Sequence, residues 1–513
     1  MLTRRLFVLA SAFALLHVAP ARGAAGAPPD TCKLTLLHTN DTHGHLMPFS
    51  YPDTFDPGSI LARLTARRNI GGIARRATLA SIIRREPGAH VLLLDAGDIC
   101  DGTPFSTEFR GEADVEAMNA AGYDAACPGN HEMNNTLAQV RKLRDMAKYP
   151  IVCANAIETA SGKPIFRPYV IRRVGSLRIA LLGLLTPEAA SYPAAVEGLK
   201  IQPPIECARD LVPQLRRQAD LVIALTHIGA DQDRLLSATV AGIDVIVGGH
   251  SHTYLRSPVF IGDVPGPEPE SVNGTIIAHD FEWGAQLGRL SLVLVRSRVG
   301  RWTVQRYAGA GLPITASIAP HKATEAVVGR YWRGISAKYG RRIGTAEGDF
   351  AQKGYDRADY NLVADAVRAK TSAAIALENL GGVRAPLVKG PITYADLVTM
   401  DPFGNTIVTM TLTGAQVRAI LGERRPAVSG VRYEVDGRVV KRALVGGSPL
   451  DDARAYKVAT NSFFARDALF AGATERADTG VGRLSALLEY IGSRGTLRPA
   501  YDGRRIVRGV PDE

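Results

Sequence analysis

The sequence predicts an α/β protein built as two successive layered units, and three observations carry that expectation. The chain has 513 residues, more than one ordinary domain holds. From about residue 33 to residue 310, short apolar runs alternate with segments of helical periodicity. After one long helical pattern, the same alternation starts again from Arg342. Buried strands alternating with helices give sheets covered by helices.

In chain order, the strand-like runs of the first unit are Leu34 to Leu37, Val91 to Leu94, Ile179 to Leu185, Leu221 to Leu225 and Ile243 to Val247. Between them lie amphipathic patterns such as Gly72 to Arg85, whose apolar residues recur at helical spacing. Gly309 to Pro313 reads as a loop, and residues 318–340 read as one helix connecting the units. In the second unit, Asn361 to Lys370 is helix-like, while Ala373 to Leu377, Thr406 to Leu412 and Tyr456 to Thr460 are strand-like. The expected division is a first domain over 30–317, a connector over 318–340 and a C-terminal domain over 341–513.

Residues 1–21 stand apart as an export signal. Met1 to Arg5 is basic, Leu6 to Val18 is apolar but too short to span a bilayer, and Ala19-Pro20-Ala21 offers small residues for cleavage. Thr3-Arg4-Arg5-Leu6-Phe7-Val8 fits both a twin-arginine export signal and a chance Arg pair in an arginine-rich chain. The mature chain, with no later apolar stretch of spanning length, is expected in the periplasm or outside the cell. Hydrophobic residues make up 46% and charged residues 22%, which excludes a disordered or fibrous protein. The formal charge of +11 is scattered among acidic residues, which suits anionic small molecules better than a nucleic-acid polymer, for which no motif is present. Five cysteines leave at least one thiol unpaired within the chain, and none forms a CxxC pair.

The chemistry concentrates at strand ends. The first run leads into Asn40-Asp41-Thr42-His43, and an extended backbone there would point Asp41 and His43 to one side. The second leads into Asp95-Ala96-Gly97-Asp98, and the breaker pair Pro128-Gly129 precedes Asn130-His131. Glycines 97 and 129 are expected to let the backbone turn sharply. Later runs deliver His227 and then Gly248-Gly249-His250-Ser251-His252. Asp41, His43, Asp98, Asn130, His227, His250 and His252 form an oxygen and nitrogen donor set suited to two divalent metal ions such as Zn, Mn or Co. Two ions at ~3.5–4 Å need a shared carboxylate, and Asp98, with no neighbouring donor, is the candidate. The other histidines, His17, His38, His45, His90, His279 and His321, are read as structural or surface residues.

In order, HTNDTHGH, DAGD, GNHE, THIGAD and GGHSHT resemble the calcineurin-like metallophosphoesterases, and among them the 5'-nucleotidases and UDP-sugar hydrolases. Asn379 to Arg384 and Asp401 to Asn405 resemble motifs of the nucleotidase C-terminal domain. The resemblance implies an N-terminal metallophosphatase sandwich of two mixed sheets flanked by helices, plus a smaller C-terminal α/β nucleotidase domain that rotates to carry substrate to the metals. It places Asp41, His43 and His252 with Asp98 on one metal, and Asn130, His227 and His250 with Asp98 on the other. His131 would face the phosphoryl group. Glu132 has no role by analogy and is expected only to support its loop. Substrate contacts are implied for Asn379, Gly382, Arg384, Phe403, Asn405 and Phe463, with Phe403 and Phe463 sandwiching a base.

Two departures stand out. Asn134 occupies the place where nucleotidases commonly pair the histidine with an aspartate, so it is expected to orient His131 without adding charge. The usual glycine-rich turn after Thr460-Asn461-Ser462-Phe463 is absent, and Asp467 replaces its ribose-binding aspartate only if the turn is shortened. The second phosphate-binding cation is Lys353 or Arg357, with Arg357 preferred. The implied activity is an exported two-metal 5'-nucleotidase acting on nucleoside monophosphates. The alternatives are a 2',3'-cyclic-nucleotide phosphodiesterase, a UDP-sugar hydrolase or, outside the enzymes, a nucleotide-binding or surface protein that keeps the fold.

Overall fold

The computed structural model describes residues 30–53, 60–262, 274–297 and 300–509. The expected signal at residues 1–21 lies outside them. Among the described helices, none is long and apolar enough to cross a membrane.

The first unit contains β1 (Thr31–Thr39), β2 (His90–Asp95), β3 (Ala125–Ala126), β4 (Ala156–Glu158), β5 (Tyr169–Val174) and β6 (Leu177–Leu185). It continues with β7 (Leu199–Ile201), β8 (Leu221–His227), β9 (Val245–Gly248), β10 (Val259–Gly262), β11 (Gly274–Ala278), β12 (Gln286–Arg296) and β13 (Trp302–Pro313). Two mixed sheets form, one ordered β13-β12-β1-β2-β3 and the other β10-β11-β9-β8-β6-β5. Leu34, Leu36, Leu92 and Leu94 of the first sheet pack between the layers against Ile179, Leu181, Ile223, Leu225, Val245 and Val247 of the second. One residue further along, Leu37 and Leu93 turn outward onto the helices Ile73–Arg84 and Glu112–Ala121. Ala180, Leu182, Val222 and Ala224 do the same against Val212 and Leu215 of the helix Pro204–Arg216. This alternation is why the runs read as continuously apolar: strands buried on both faces have no polar side.

Parallel register brings the catalytically interesting ends level. Thr39 pairs with Asp95 across β1 and β2, Leu185 with His227 across β6 and β8, and Thr226 with Gly248 across β8 and β9.

Gly309 to Pro313, expected as a loop, is the end of β13, with Gly309 opposite Leu290 and Pro313 opposite Gln286. The glycines there mark close packing: a Cβ on Gly309 would lie 2.5 Å from the Pro258 ring, and one on Gly311 equally close to the Gln286 side chain. The connecting helix is shorter than expected, spanning Lys322–Tyr339. Pro320 explains the late start, since it has no N–H and disfavours helical backbone at Ala319. Val328 of this helix joins the core of the first unit, whereas Ile335 and Tyr339 pack with Val398 of the second.

The second unit centres on a five-stranded sheet ordered Ala427–Ser429, Ile375–Glu378, Ala455–Asn461, Thr406–Thr413 and Thr474–Gly482. Helices Ala358–Thr371 and Arg483–Arg494 cover one face and Gly414–Arg424 the other. Arg483 is buried and bound to Glu378 at 2.8 Å and Asp401 at 2.6 Å, so its charge is compensated on both sides. All five cysteines are free thiols, four of them buried.

Candidate active site

The strand ends of both sheets meet in one polar cluster. His43 Nε2 lies 3.1 Å from His252 Nε2 and 3.6 Å from Asp98 Oδ2, and His252 Nε2 lies 3.5 Å from Asp41 Oδ1. His227 Nε2 is 3.1 Å from Asp98 Oδ2, and its ring centroid is 5.1 Å from that of His250. Donor atoms of Asp41, His43 and His252 lie within 4.8 Å of one another, as do those of Asp98, His227 and His250. Asp98 belongs with both groups, since His43 and His227 approach the same oxygen.

The local backbone differs from the expectation. Asp41 and His43 do not converge through an extended chain; both are left-handed, with φ of 49° and 44°. Asp98, His250 and His252 are left-handed as well, a conformation non-glycine residues adopt only when the surroundings enforce it. Gly97 turns the chain at φ 92° as expected. Gly129 serves a different purpose: its φ is not positive, but a Cβ there would sit 2.0 Å from Asp98 Oδ1. The breaker before Asn130 therefore clears space for the shared carboxylate.

Hydrogen bonds at the far ring nitrogens aim the imidazoles. Nδ1 of His43 meets the carbonyl of Asp101 at 2.8 Å, and Nδ1 of His227 meets the carbonyl of Ala96 at 2.7 Å. A carbonyl only accepts, so each Nδ1 carries the proton and each Nε2 of a neutral ring presents a lone pair inward. The Nδ1 of His252 is held by Glu282, which also accepts from the Tyr51 hydroxyl at 3.0 Å. Asn40 donates to Asp41 Oδ2 at 2.7 Å, and the same carboxylate accepts the His250 N–H.

Asn130 Oδ1 is buried and has no hydrogen-bond partner, although Asn130 Nδ2 donates to the Tyr192 hydroxyl at 2.9 Å, and the buried His227 Nε2 faces the Asp98 carboxylate. An orphaned amide oxygen and imidazole nitrogens gathered beside two carboxylates fit divalent cations. The electrostatics agree. Burial opposes charge on His227, yet Asp98 and then Asp41 push it up to about 10, so the cluster attracts positive charge for which cation and proton compete. Burial holds His43 well below the usual histidine range, with Asp98 opposing.

Glu132 supports the loop as expected. Its carboxylate accepts from the N–H groups of Gly129, Asp98 at 3.0 Å, Ile99 at 2.9 Å and Cys100 at 3.2 Å. His131 to Asn134 form one 3-10 turn, and the His131 N–H donates to Asp98 Oδ1 at 2.9 Å. The His131 ring lies 4.9 Å from the His43 ring between centroids. Its Nδ1 is held by Asp101 Oδ2 at 2.9 Å, and Asn134 Nδ2 donates to that same oxygen at 2.6 Å. The expectation that Asn134 orients the ring directly is thus corrected: Asn134 holds Asp101, and Asp101 holds the ring. Burial acts to lower His131, but Asp98 and the Asp101 hydrogen bond outweigh it and raise the group.

The second unit contributes from across the interface. The positive charge of Arg384 bears on His43, His131, His252 and Glu282. Its guanidinium carbon lies 6.0 Å from the centre of the Phe403 ring. Phe403 and Phe463 are 43% and 62% exposed, which rules out a core role for either. Their loops are tied together, with the Ser462 hydroxyl donating to Asn405 Oδ1 at 3.2 Å and the Ser462 N–H to the Thr406 carbonyl. Asn379 is braced by Asn461, whose Nδ2 donates to Asn379 Oδ1 at 2.9 Å, and Gly382 gives its carbonyl to Arg483. Arg357 stacks 4.4 Å over Tyr360, whose hydroxyl receives the Gly381 N–H at 2.7 Å, so it borders the Asn379 to Arg384 loop. Lys353 lies over the Tyr501 ring instead. Asp467 is committed elsewhere: it caps a 3-10 turn at Leu469 and accepts from Arg424 at 2.6 Å, which removes it as a ribose ligand.

Sequence reasoning missed Asp101, Glu282 and Tyr192. Asp101 alone left a trace, as a second acid three residues beyond Asp98 in DAGDICDG. Glu282 and Tyr192 lie in segments without any motif.

An α/β sandwich with a metal-suited donor set at its strand ends, faced by a second α/β unit, defines a metallohydrolase architecture, and comparison with known proteins gives it a family. The calcineurin-like phosphoesterase model matches residues 34–254, and the 5'-nucleotidase C-terminal domain model matches residues 342–470. Protein UshA of Yersinia enterocolitica is 29% identical over 505 residues, covering 87% of this chain and 88% of that protein. A 5'-nucleotidase of Vibrio cholerae is 28% identical over 517 residues, covering 89% and 90%. Among solved structures, a 5'-nucleotidase precursor from Thermus thermophilus superposes with a TM-score of 0.79 at 29% identity, over 93% of this chain and 100% of that one. The chain belongs to the calcineurin-like phosphoesterases that carry a 5'-nucleotidase C-terminal domain, and it is a metal-dependent phosphoester hydrolase.

Proposed function

We propose that the protein is an exported 5'-nucleotidase with two divalent metals, releasing phosphate from nucleoside monophosphates. One observation carries the nucleotide reading: Arg384 adjoins Ala385, which packs with Trp283, the residue whose N–H donates to the Asp41 carbonyl, while the exposed rings of Phe403 and Phe463 stand on adjoining loops. A phosphate at the metals and a flat base between the rings would use both features. The basic, then apolar, start of the chain supports export.

Asp41, His43 and His252 would hold one cation and Asn130, His227 and His250 the other, with Asp98 between them. Bound there, divalent cations supply Lewis-acid polarisation of a phosphoryl oxygen and lower the pKa of a water. Arg384, with Arg357 nearer the outer edge, would fix the phosphate and offset its charge. His131 would stabilise the transition state or protonate the leaving oxygen. Asn379, Gly382 and Asn405 shape the loops that present Arg384 and Phe403.

A cyclic-nucleotide or UDP-sugar activity is the second reading. It is favoured by the engagement of Asp467 with Arg424, which leaves the sugar without that carboxylate. Hydrolysis of AMP, 2',3'-cyclic AMP and UDP-glucose by metal-loaded mature protein separates the two readings. Asp98→Ala is expected to abolish turnover of every ester and to lower bound metal; retention of full activity by this variant would refute the assigned centre.

A further inference from the structure

We infer that Asp101 is the positioning residue for His131, and that Asp101 and Asn134 act as one unit in which the carboxylate has its place at 101 and an amide must stand at 134. The inference rests on the metallohydrolase reading above, which puts His131 against the substrate phosphoryl group.

Asp101 is placed by contacts on every side. Its N–H donates to the Ser106 hydroxyl at 2.7 Å, and its carbonyl accepts from His43 Nδ1 at 2.8 Å. Its backbone is left-handed at φ 74°, a conformation these bonds hold in place. So fixed, the side chain delivers one oxygen, Oδ2, to His131 Nδ1 at 2.9 Å. A carboxylate on Nδ1 selects the tautomer whose Nε2 is free toward the reacting group and stops rotation of the ring. One residue therefore grips the reaction-facing histidine by its side chain and a candidate metal ligand by its backbone.

Asn134 completes the unit through the opposite polarity. Its amide nitrogen donates to the same Oδ2 at 2.6 Å. An aspartate at 134 would put two carboxylates in contact, and neither charge would be stable beside the other. Residues 131 and 134 are the ends of one 3-10 turn, where side chains three apart eclipse, so a carboxylate at 134 is within reach of the ring once that at 101 is gone. The two positions should therefore be exchangeable as a pair and not singly.

The test uses the full mature protein, metal-loaded, as wild type, Asp101→Asn, Asn134→Asp and the double swap. For AMP, Asp101→Asn is expected to lower kcat on the order of 100-fold, the lower range of what a proton-transferring group supplies, with KM within about twofold and metal content unchanged. The double swap is expected to recover at least about tenfold of that loss, whereas Asn134→Asp alone loses activity. In parallel, nitrogen-15 NMR of the histidine side chains, assigned with His131→Asn, is expected to show a slowly exchanging Nδ1–H of His131 in wild type. This signal should vanish in Asp101→Asn and return in the double swap. Wild-type kcat in Asp101→Asn, a double swap no better than the single variant, or an Nδ1–H signal indifferent to Asp101 would overturn the inference. If wild type cleaves no ester while the NMR signals follow Asp101, the positioning geometry stands and the hydrolase reading fails instead.

Discussion

At the scale of single residues, the site is built from conformations and contacts that a chain adopts only under compulsion. Left-handed backbone at Asp41, His43, Asp98, His250 and His252 carries strain of roughly 1–3 kcal/mol per residue. The surrounding sandwich holds it, and the result is two neighbouring groups of donors at the strand ends. Phe403 and Phe463 present the opposite case, large apolar side chains left in solvent. Stacking of a base on such rings is worth about 1–3 kcal/mol. Phe403→Ala and Phe463→Ala should each therefore raise KM for AMP by roughly 5- to 150-fold. Hydrolysis of glycerol phosphate, which has no ring to stack, should be unaffected, and steady-state kinetics on both esters checks this.

The strands set the chemistry of the next scale. β1, β2, β8 and β9 are apolar along most of their length and lead at their carboxyl ends into Asp41, Asp98, His227 and His250, so the core stabilises each element while the residues at its end form the site. His38 shows how close the two regimes lie. It sits near the end of β1, where burial, then the neighbouring His279, hold it down at about 3 against an ordinary value of 6.5. The folded-state pKa lies below the unfolded one, so the stability contributed by the neutral ring is complete above pH 6.5 and is lost as pH falls toward 3. Relative to His38→Gln, the wild type should lose up to about 1.4 kcal/mol per pH unit between about pH 6 and pH 4, measured by denaturant unfolding. The end of β13 teaches the reverse lesson. Gly309 and Gly311 look like loop signals, but they lie in a strand because neighbouring side chains occupy the space a Cβ would need.

Across the whole molecule, the connecting helix Lys322–Tyr339 is shared between the two cores, and polar contacts reinforce the interface, with Arg68 and the Asp53 N–H both on Asp349. This arrangement keeps the Arg384 loop on the side of the candidate metal-ligand cluster, with Ala385 packed against Trp283. The three tryptophans, Trp283, Trp302 and Trp332, all precede the second unit, so their fluorescence reports on the first unit and the connector. Metal at 100 times its Kd should stabilise the first unit by about 2.7 kcal/mol. Fluorescence-monitored melting should accordingly shift upward with Mn2+ or Zn2+ and return with chelator. A melting point indifferent to metal would contradict a cation bound among these strand ends.

The α/β plan, the main apolar strands and a candidate donor set at their ends were legible in the sequence, because apolar periodicity and polar strand ends are local patterns. Tertiary structure decided the rest. Glu282 reaches His252 across 30 residues, Asp101 reaches His131 across 30, and Gly129 is small because Asp98 passes 2.0 Å from where its Cβ would stand. A linear pattern can say which residues are able to bind a metal or hold a ring. Which of them meet, and which backbone strain brings them together, depends on how two sheets and a second unit pack, and no short stretch of chain encodes that.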